Sequence, residues 1–355
     1  MLRFEKRENV SLKLRIFIPV ISVLAGLIIG AIAILLARIN PLTAYKSIII
    51  GAFGSKYTLT ETLVSATPLI LISVGLILVF KMNFWNIGAY GQYIIGAIFS
   101  SYFALFGPPN ISRFLLLTIM TFAGLAGGAI WAIIPAVLRA YWEVNEVIST
   151  LLLNYVALYI LKYFMYGFWR DPTSHGFPLS KPFAMNAQLP RIIPNSRTNL
   201  GLIFGIIAAV IIWFIIKKTK FGYEIRVIGG SKEAARYAGI NVARNMIIAM
   251  IISGALAGLA GMAQLSGVIH MLQIEINPGY GYTAIIVAWL SYLDPFAAVF
   301  VSILLGALAS GGYQIQITMQ VPFGIVAVIE SAILFVLIGS EVLMRYRISF
   351  AKGRA

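Results

Sequence analysis

The chain carries, at residues 62–80, the sequence TLVSATPLILISVGLILVF, in which no side chain is charged. As a helix, a stretch of this length crosses about 30 Å of hydrocarbon. Nine further stretches are predominantly apolar: 16–37, 84–105, 114–138, 147–163, 200–216, 246–265, 280–293, 296–310 and 323–338. The sequence therefore predicts an all-α polytopic membrane protein, a single transmembrane domain over residues 1–355 with about ten transmembrane helices, some short or broken.

Composition supports the bilayer as the solvent. Of 355 residues, 60% are hydrophobic and 11% are charged, whereas about a quarter of an average soluble domain is charged. The net charge of +15 comes from Lys and Arg in short segments between apolar stretches. This pattern indicates topology signals and contacts with anionic membrane lipid, and it argues against a nucleic-acid partner. Cysteine is absent, which excludes disulfides and thiolate chemistry.

The distribution of basic residues predicts the orientation. With a cytoplasmic N-terminus, 18 of the 27 Lys and Arg residues fall in inner segments. The positive-inside rule then places both termini and the loop 217–245 in the cytoplasm, and the loop 167–199 outside. The predicted location is a bacterial cell (plasma or inner) membrane, crossed several times.

Two shorter patterns bear on the architecture. The stretches 280–293 and 296–310 are short and meet at Asp294-Pro295, an N-cap followed by Pro at the first helical position. They predict either a tight helical hairpin or a re-entrant pair. The segments GAYG at 88–91 and GYGY at 279–282 each place Gly and Tyr at the entrance of a stretch. They indicate an inverted repeat, or a chance similarity in a chain with 32 Gly.

The loop 167–199 contains five Pro residues and is predicted to be irregular. Such a loop suits contact with a partner or the lining of an entrance. A plain solvated connector is the alternative.

No catalytic constellation is found in the sequence. The two His residues, His175 and His270, have no metal-ligand spacing. A Gly-rich phosphate loop ending in Gly-Lys-Ser/Thr is missing, so the chain itself is not expected to hydrolyse ATP. We predict no enzymatic activity, no metal and no cofactor.

The loop 217–245 contains the sequence GGSKEAARYAGI at 229–240. It predicts a flexible entry, Ser231 as N-cap, a helix of about seven residues, and a stop at Gly239. A helix this short is marginal alone in water. Its small residues would let a partner's backbone approach closely: Ala234, Ala235 and Ala238. The sequence therefore predicts either a helix docked in a partner's groove or a surface helix lying along the membrane.

The segment WNIGAYGQ at 85–92 opens the third stretch. Asn86, Gly88 and Gln92 suit a lipid-facing helix poorly, and they predict a broken or tightly packed helix facing the bundle interior. There they would line a solute path or simply allow close packing. Asn154, with Tyr155 beside it, lies about 12 Å into its helix. Neutral amides and phenols suit an uncharged hydroxylated solute or a base, although one interhelical hydrogen bond would also account for Asn154.

Glu330 lies midway along the last stretch. A carboxylate at this depth must be protonated, paired or in contact with water. Function and structural pairing both remain open for it.

Four segments carry a resemblance to a known family: 85–92, NEVISTLLLNY at 145–155, FGYEIR at 221–226 and EAARYAGI at 233–240. Together they resemble the permeases of bacterial ABC importers in the simple-sugar and nucleoside branch, specifically nucleoside permeases served by a basic-membrane-protein type lipoprotein. The resemblance extends over residues 60 to 340. It departs from the family pattern at Tyr90, where the family has an acid, and at Glu330, where a neutral amide is common.

The resemblance implies several partners: cytoplasmic ATPase subunits, a second permease subunit (a paralogue or a second copy), and an external solute-binding lipoprotein. It implies a nucleoside as solute, with a simple sugar second and a branched-chain amino acid third. The residues implied in coupling to the ATPase are Ser231, Glu233, Ala234, Ala235, Ala238 and Gly239. Those implied in the translocation path are Asn86, Gly88, Tyr90, Gln92, Asn154 and Glu330.

Two rival functions compete with this interpretation. A secondary carrier driven by an ion gradient would use Glu330 as its titrating group. A membrane-embedded enzyme would need acids clustered at one membrane face, and only Glu143 and Glu146 approach this arrangement.

Overall fold

A computed structural model describes the backbone at residues 2–6, 12–108, 110–276, 279–320 and 324–350, and side chains from residue 21 to residue 340 with gaps. The chain divides into two compact units, one formed by Met1–Ser55 with Leu308–Ala355 and the other by Lys56–Ala307. The helices are α1 Leu12–Leu36, α2 Pro41–Phe53, α3 Lys56–Phe80, α4 Ala89–Phe106, α5 Arg113–Trp142, α6 Glu146–Tyr166, α7 Gly201–Lys218, α8 Lys220–Gly230, α9 Lys232–Tyr237, α10 Val242–Gln264, α11 Tyr280–Leu290, α12 Pro295–Met319 and α13 Gly324–Arg345.

The predicted all-α membrane fold is confirmed, and each of the ten apolar stretches contains a helix. The count of about ten spans is only approximate. Within the described residues, six helices are long and apolar enough to cross a membrane. A bent pair, Ile21–Leu36 with Pro41–Phe53 at 114°, could supply a seventh.

Two helix boundaries differ from the prediction, and the helix α2 was not predicted. The stretch 296–310 was expected to be short, whereas α12 continues to Met319 and is 25 residues long. The stretch 84–105 was marked from residue 84, whereas α4 begins only at Ala89, within the segment 85–92 for which a broken or tightly packed helix was predicted. The helix α2 was missed, although Asn40 caps it by accepting from Leu42 N at 2.9 Å, and Pro41 follows. The same signal was recognised at Asp294, whose Oδ1 accepts from Phe296 N at 3.0 Å and confirms the predicted N-cap.

The unit Lys56–Ala307 is built around α3, which is almost entirely buried. Its helices α5 and α10 cross where Gly128 lies directly against the backbone of Gly254 and Gly258. A Cβ at Gly128 would stand 2.8 Å from Gly258 Cα. Small residues are thus required here, since helix association in a bilayer depends on close backbone packing.

The unit Met1–Ser55 with Leu308–Ala355 has its own apolar core. One cluster joins Ile34 and Ala44 to Ile329 and Ile333, all buried. At its ends, the strands β1 (Leu2–Lys6) and β2 (Tyr346–Phe350) pair antiparallel, with Phe4 opposite Ile348. These strands carried no recognised sequence signal.

The two long loops lie at opposite ends of α7. The loop 167–199 is irregular as predicted, with a single 3-10 turn, Met185–Ala187, among its described residues. It is attached to the segment after α10, since Phe183 N donates to His270 O at 2.7 Å and Ser180 N donates to Leu272 O at 2.9 Å. At the other end, Asn83 Nδ2 donates to Gly229 O at 2.7 Å. Which end faces the cytoplasm stays a prediction.

Candidate functional site

The short helix predicted in the loop 217–245 is present as α9, six residues long. Ser231 Oγ accepts a hydrogen bond from Ala234 N at 3.1 Å, which confirms the predicted N-cap. Gly239 has φ +76°. This is the left-handed conformation that commonly ends a helix at Gly. Local sequence signals therefore defined both ends of α9.

The small residues of α9 do not all face the same way. Ala235 is fully buried inside the chain, whereas Ala234 and Ala238 are exposed. The last helical residue, Tyr237, is 97% exposed. Ala235 thus fastens α9 to its own chain, and a partner would meet Ala234, Ala238 and Tyr237 instead of an unbroken alanine face.

A charged cleft of ≈ 480 Å³ lies beside α9. Its charged lining residues are Arg139, Glu143, Lys232, Glu233 and Arg236. The backbone N–H of Glu233 and the Ser231 hydroxyl lower the pKa of the Glu233 carboxyl, so this acid is ionised at neutral pH. The cleft therefore presents both signs of charge next to the exposed face of α9.

The neighbouring helix α8 was missed by the sequence reasoning, which treated residues 217–230 as loop. Thr219 caps it by accepting from Gly222 N at 3.1 Å, and Ile225 and Ile228 are buried at helical spacing. Asn245 Nδ2 donates to Glu224 Oε2 at 2.8 Å and fastens α8 to α10. The cap and the apolar spacing were the signals available in the sequence.

At the start of α4, Asn86 and Gln92 form a reciprocal pair. Asn86 Nδ2 donates to Gln92 Oε1 at 3.1 Å, and Gln92 Nε2 donates to Asn86 Oδ1 at 3.2 Å. Asn86 Oδ1 also accepts from Gly88 N at 3.0 Å. Both side chains are essentially fully buried. We call Asn86, Gln92 and Asn154 the amide cluster.

Asn154 of α6 completes this cluster. Its Oδ1 accepts from Gly91 N at 2.7 Å, and its Nδ2 donates to Ile87 O at 2.9 Å. The same Nδ2 approaches Tyr282 Oη at 3.3 Å. If α4 began earlier, Gly91 N–H would donate to Ile87 O within the helix. Asn154 bonds to both of these groups instead, which explains how non-helical backbone is tolerated at this depth.

Two glycine motifs meet at this point. Tyr90 and Tyr282 have ring centroids 5.8 Å apart, and a Cβ at Gly281 would stand 2.6 Å from Tyr90 Cβ. Gly88 is equally constrained, because a Cβ there would be 3.0 Å from Thr150 Cβ. The segments 88–91 and 279–282, suspected of being repeat counterparts, therefore pack directly on each other. Whether an inverted repeat relates them stays a prediction.

Five of the six predicted path residues come together: Asn86, Gly88, Tyr90, Gln92 and Asn154. The three amides bond mainly to one another and to backbone, and all of them are buried. Glu330 lies on α13, but its side chain falls outside the described residues. A direct role in the path stays a prediction for all six.

The sequence analysis singled out Tyr155 but did not recognise that Tyr155 belongs to a row of exposed tyrosines along one face of α6. On α6, large aromatic side chains at intervals of four, four and three are more than half exposed: Tyr155, Tyr159, Tyr163 and Tyr166. The interval pattern was available in the sequence as one face of a helix. Tyr282, which contacts Asn154, is also partly exposed, at 38%.

Comparisons with known proteins give a consistent result. Residues 58–339 match the family described as branched-chain amino acid transport system / permease component. A glucose ABC transporter permease of Haloferax volcanii is 33% identical and covers 99% of this chain and 95% of that protein. A nucleoside ABC transporter permease of Lactococcus lactis is 32% identical over 90% of each chain, and a guanosine ABC transporter permease of Bacillus subtilis is 32% identical over 96% of each chain.

Proposed function

Because the chain belongs to this family of ABC transporter permeases, we propose that its helices form the import path for a nucleoside. The chain is the membrane-spanning permease component, and ATP hydrolysis on another subunit supplies the energy. The secondary-carrier alternative, with Glu330 as proton carrier, is therefore set aside. The observation that carries the nucleoside proposal is the concentration of neutral amides and phenols around Asn154, Tyr90 and Tyr282.

The chemistry of this region favours an uncharged solute. Amides and phenols offer donors and acceptors without a net charge, which suits the base and ribose of a nucleoside. A branched-chain amino acid carries two opposite charges, whereas the hydrogen-bond partners of the amide cluster are uncharged: amides, the Ser253 hydroxyl, the Tyr282 phenol and backbone groups. Two of the relatives named above are described as nucleoside or guanosine permeases. A simple sugar is the second candidate, supported by the glucose permease relative.

The proposed assembly contains two permeases, cytoplasmic ATPases and an external solute-binding lipoprotein. In this assembly the end that carries α9 faces the cytoplasm and the loop 167–199 faces outward, as the basic residues predict. The exposed face of α9 and the charged cleft beside it then contact an ATPase. The contact transmits ATPase closure to α8 and α10, against which α9 packs.

The proposal is tested by reconstituting the complete assembly into proteoliposomes and measuring uptake of labelled guanosine. We expect uptake that requires ATP and persists in an excess of unlabelled glucose. A matched sample with an imposed proton gradient and no ATP should show none. Uptake of glucose without uptake of guanosine would make the second candidate correct.

A second arm of this experiment addresses coupling. Ala238→Glu places a bulky charged side chain on the exposed face of α9, and we expect it to weaken ATPase docking by about 1 to 3 kcal/mol. Lys232→Ala, on the same helix, removes a solvated charge and should change docking by less than about 1 kcal/mol. ATPase co-purification and guanosine-stimulated hydrolysis report the effect. If Ala238→Glu retains both, α9 is not the coupling contact.

A further inference from the structure

We propose that Tyr155 and Tyr159 of α6, together with Tyr282 of α11, form one wall of the solute path and hold a planar heteroaromatic ring by stacking. We call these three residues the phenol wall. The inference rests on the proposed function, because a nucleobase is the ring that the wall would receive.

The depth of the two α6 residues is the first argument. From Glu146, the first residue of α6, the helical rise places Tyr155 about 14 Å and Tyr159 about 20 Å along the helix. Both positions lie in the middle part of a hydrocarbon layer about 30 Å thick. Tyr163 and Tyr166 lie near its far edge, where Tyr is common as an interfacial anchor. Only Tyr155 and Tyr159 therefore need another explanation.

The hydroxyl groups supply the second argument. Within the part of the chain that the structure describes, Tyr155 and Tyr159 make no hydrogen bond, and they are 56% and 66% exposed. A hydroxyl group without a partner is unfavourable in hydrocarbon. Water or a polar solute on this face would satisfy both groups, whereas lipid chains would satisfy neither.

The third argument is a cation on the same face. Lys162 Nζ stands 5.2 Å from the ring centroid of Tyr159. Lys162 lies at about the level of Tyr163, yet its ammonium group is placed over the deeper ring of Tyr159, where a charge needs water because hydrocarbon is unfavourable for it. The face of α6 that bears Tyr159 is thus suited to a hydrated surface.

Tyr282 joins this surface to the amide cluster. Its hydroxyl oxygen accepts from Asn154 Nδ2 at 3.3 Å, so its own hydrogen remains available for a solute. Tyr155 follows Asn154 directly in the chain, and Asn154 contacts Tyr282. Beneath Tyr282, the Tyr90 ring is largely buried and supports it at 5.8 Å. Tyr282 therefore presents an aromatic ring that is hydrogen-bonded to Asn154 and packed on Tyr90.

Flat aromatic side chains with free hydroxyl groups match the chemistry of a nucleoside. The base stacks on a ring, a contact that tolerates any base because every base has a π-face. The phenol oxygens and hydrogens pair with base edges or ribose hydroxyls. Several such contacts along a helix allow a solute to move from one ring to the next without a single tight site.

The first test measures guanosine uptake by the reconstituted assembly with variants at two positions. Tyr155→Leu and Tyr159→Leu remove a ring, and each should raise KM for guanosine about tenfold. Tyr155→Phe keeps the ring and should raise KM only about threefold, as expected for one lost hydrogen bond. An unchanged KM in both Leu variants would overturn the inference. Wild-type uptake is the separate readout for the proposed function, which fails if the wild type does not transport guanosine.

The second test remains informative if a Leu variant assembles poorly. Single cysteines replace Tyr155, Tyr159 and, as controls on α7, Ile206 and Val210 in this cysteine-free chain. A small water-soluble thiol reagent should label the α6 sites and leave the α7 sites unlabelled, and saturating guanosine should slow labelling at α6 about tenfold. Labelling at Tyr155→Cys as slow as at Val210→Cys would mean that lipid or the second permease covers the wall. That result, or labelling insensitive to guanosine, would overturn the inference.

Discussion

The helices α6 and α7 differ in what they expose, although each is mostly uncovered by the rest of the chain. Only 28% of the membrane window of α6 and 33% of that of α7 are buried. Between Gly201 and Ile216, the exposed side chains of α7 are all apolar: Ile203, Ile206, Ile207, Val210, Ile211 and Phe214. Those of α6 include a row of phenols: Tyr155, Tyr159, Tyr163 and Tyr166. Exposure alone therefore does not identify a lipid-facing surface in a membrane protein, because the chemistry of the exposed groups decides what can cover them.

The buried faces of α6 and α7 also differ in polarity. Asn154 and Thr150 of α6 are buried and bond to the backbone of residues 87–91. The inner face of α7 is apolar and small, and a Cβ at Gly205 would stand 3.0 Å from Ile70 Cγ2 of α3. The buried face of α7 thus packs closely against α3. Helix α6 instead fixes an irregular backbone segment on one side and presents hydroxyl groups on the other.

The largest effect is expected at the inner face of α6. Asn154→Leu would leave Gly91 N and Ile87 O without their partner, and two unsatisfied buried backbone groups should cost about 2 to 4 kcal/mol of stability. The loss of stability is measured by thermal unfolding of the detergent-solubilised protein, with size-exclusion chromatography as the readout of the folded fraction. Val156→Leu, on the exposed side of the same helix, should stay within about 0.5 kcal/mol. If both variants unfold alike, the hydrogen bonds of Asn154 do not stabilise the buried face of α6.

A smaller effect is expected when the two outer faces are exchanged. Ile206→Tyr and Val210→Tyr place phenols on α7 at the same four-residue spacing as Tyr155 and Tyr159. Each should destabilise the protein in lipid nanodiscs by about 1 to 3 kcal/mol, because lipid chains cannot satisfy the new hydroxyl group. The reciprocal Tyr155→Ile should leave thermal stability within about 0.5 kcal/mol. Equal stability of all three variants would mean that both faces have the same surroundings.

The smallest change in stability is expected for Lys162→Met. Whether this variant is less or more stable than the wild type distinguishes a hydrated face from a lipid face. On a hydrated face, Lys162→Met removes a cation–π contact with Tyr159 and should destabilise the protein by about 0.5 to 1 kcal/mol. On a lipid face, removal of the charge should stabilise it by up to about 3 kcal/mol. Thermal unfolding in nanodiscs distinguishes the two signs. Lys46→Met, on α2, controls for the general effect of removing a positive charge.

Features that depend on neighbours along the chain were predictable. Ser231, Gly239 and Asp294 mark helix ends because a cap needs only the groups within the next few residues. The ten apolar stretches predicted helices for a similar reason, since in a bilayer each helix must satisfy its own backbone groups. Even the helices that were missed, α2 and α8, begin at the local caps Asn40 and Thr219. The sequence by itself thus determined the fold class and most of the helices.

Contacts between segments far apart in the chain were decided only by the tertiary structure. Nothing near Ala235 in the sequence distinguishes it from Ala234 and Ala238, yet it alone of the three is buried, because α9 packs back on α8 and α10. Asn154 pairs with residues more than sixty positions away, and which amide meets which backbone group depends on how α4, α6 and α11 pack. A tyrosine row can be counted in the sequence, but whether the fold covers it is set by neighbouring helices. Side-chain chemistry is local, whereas burial is a property of the packed bundle.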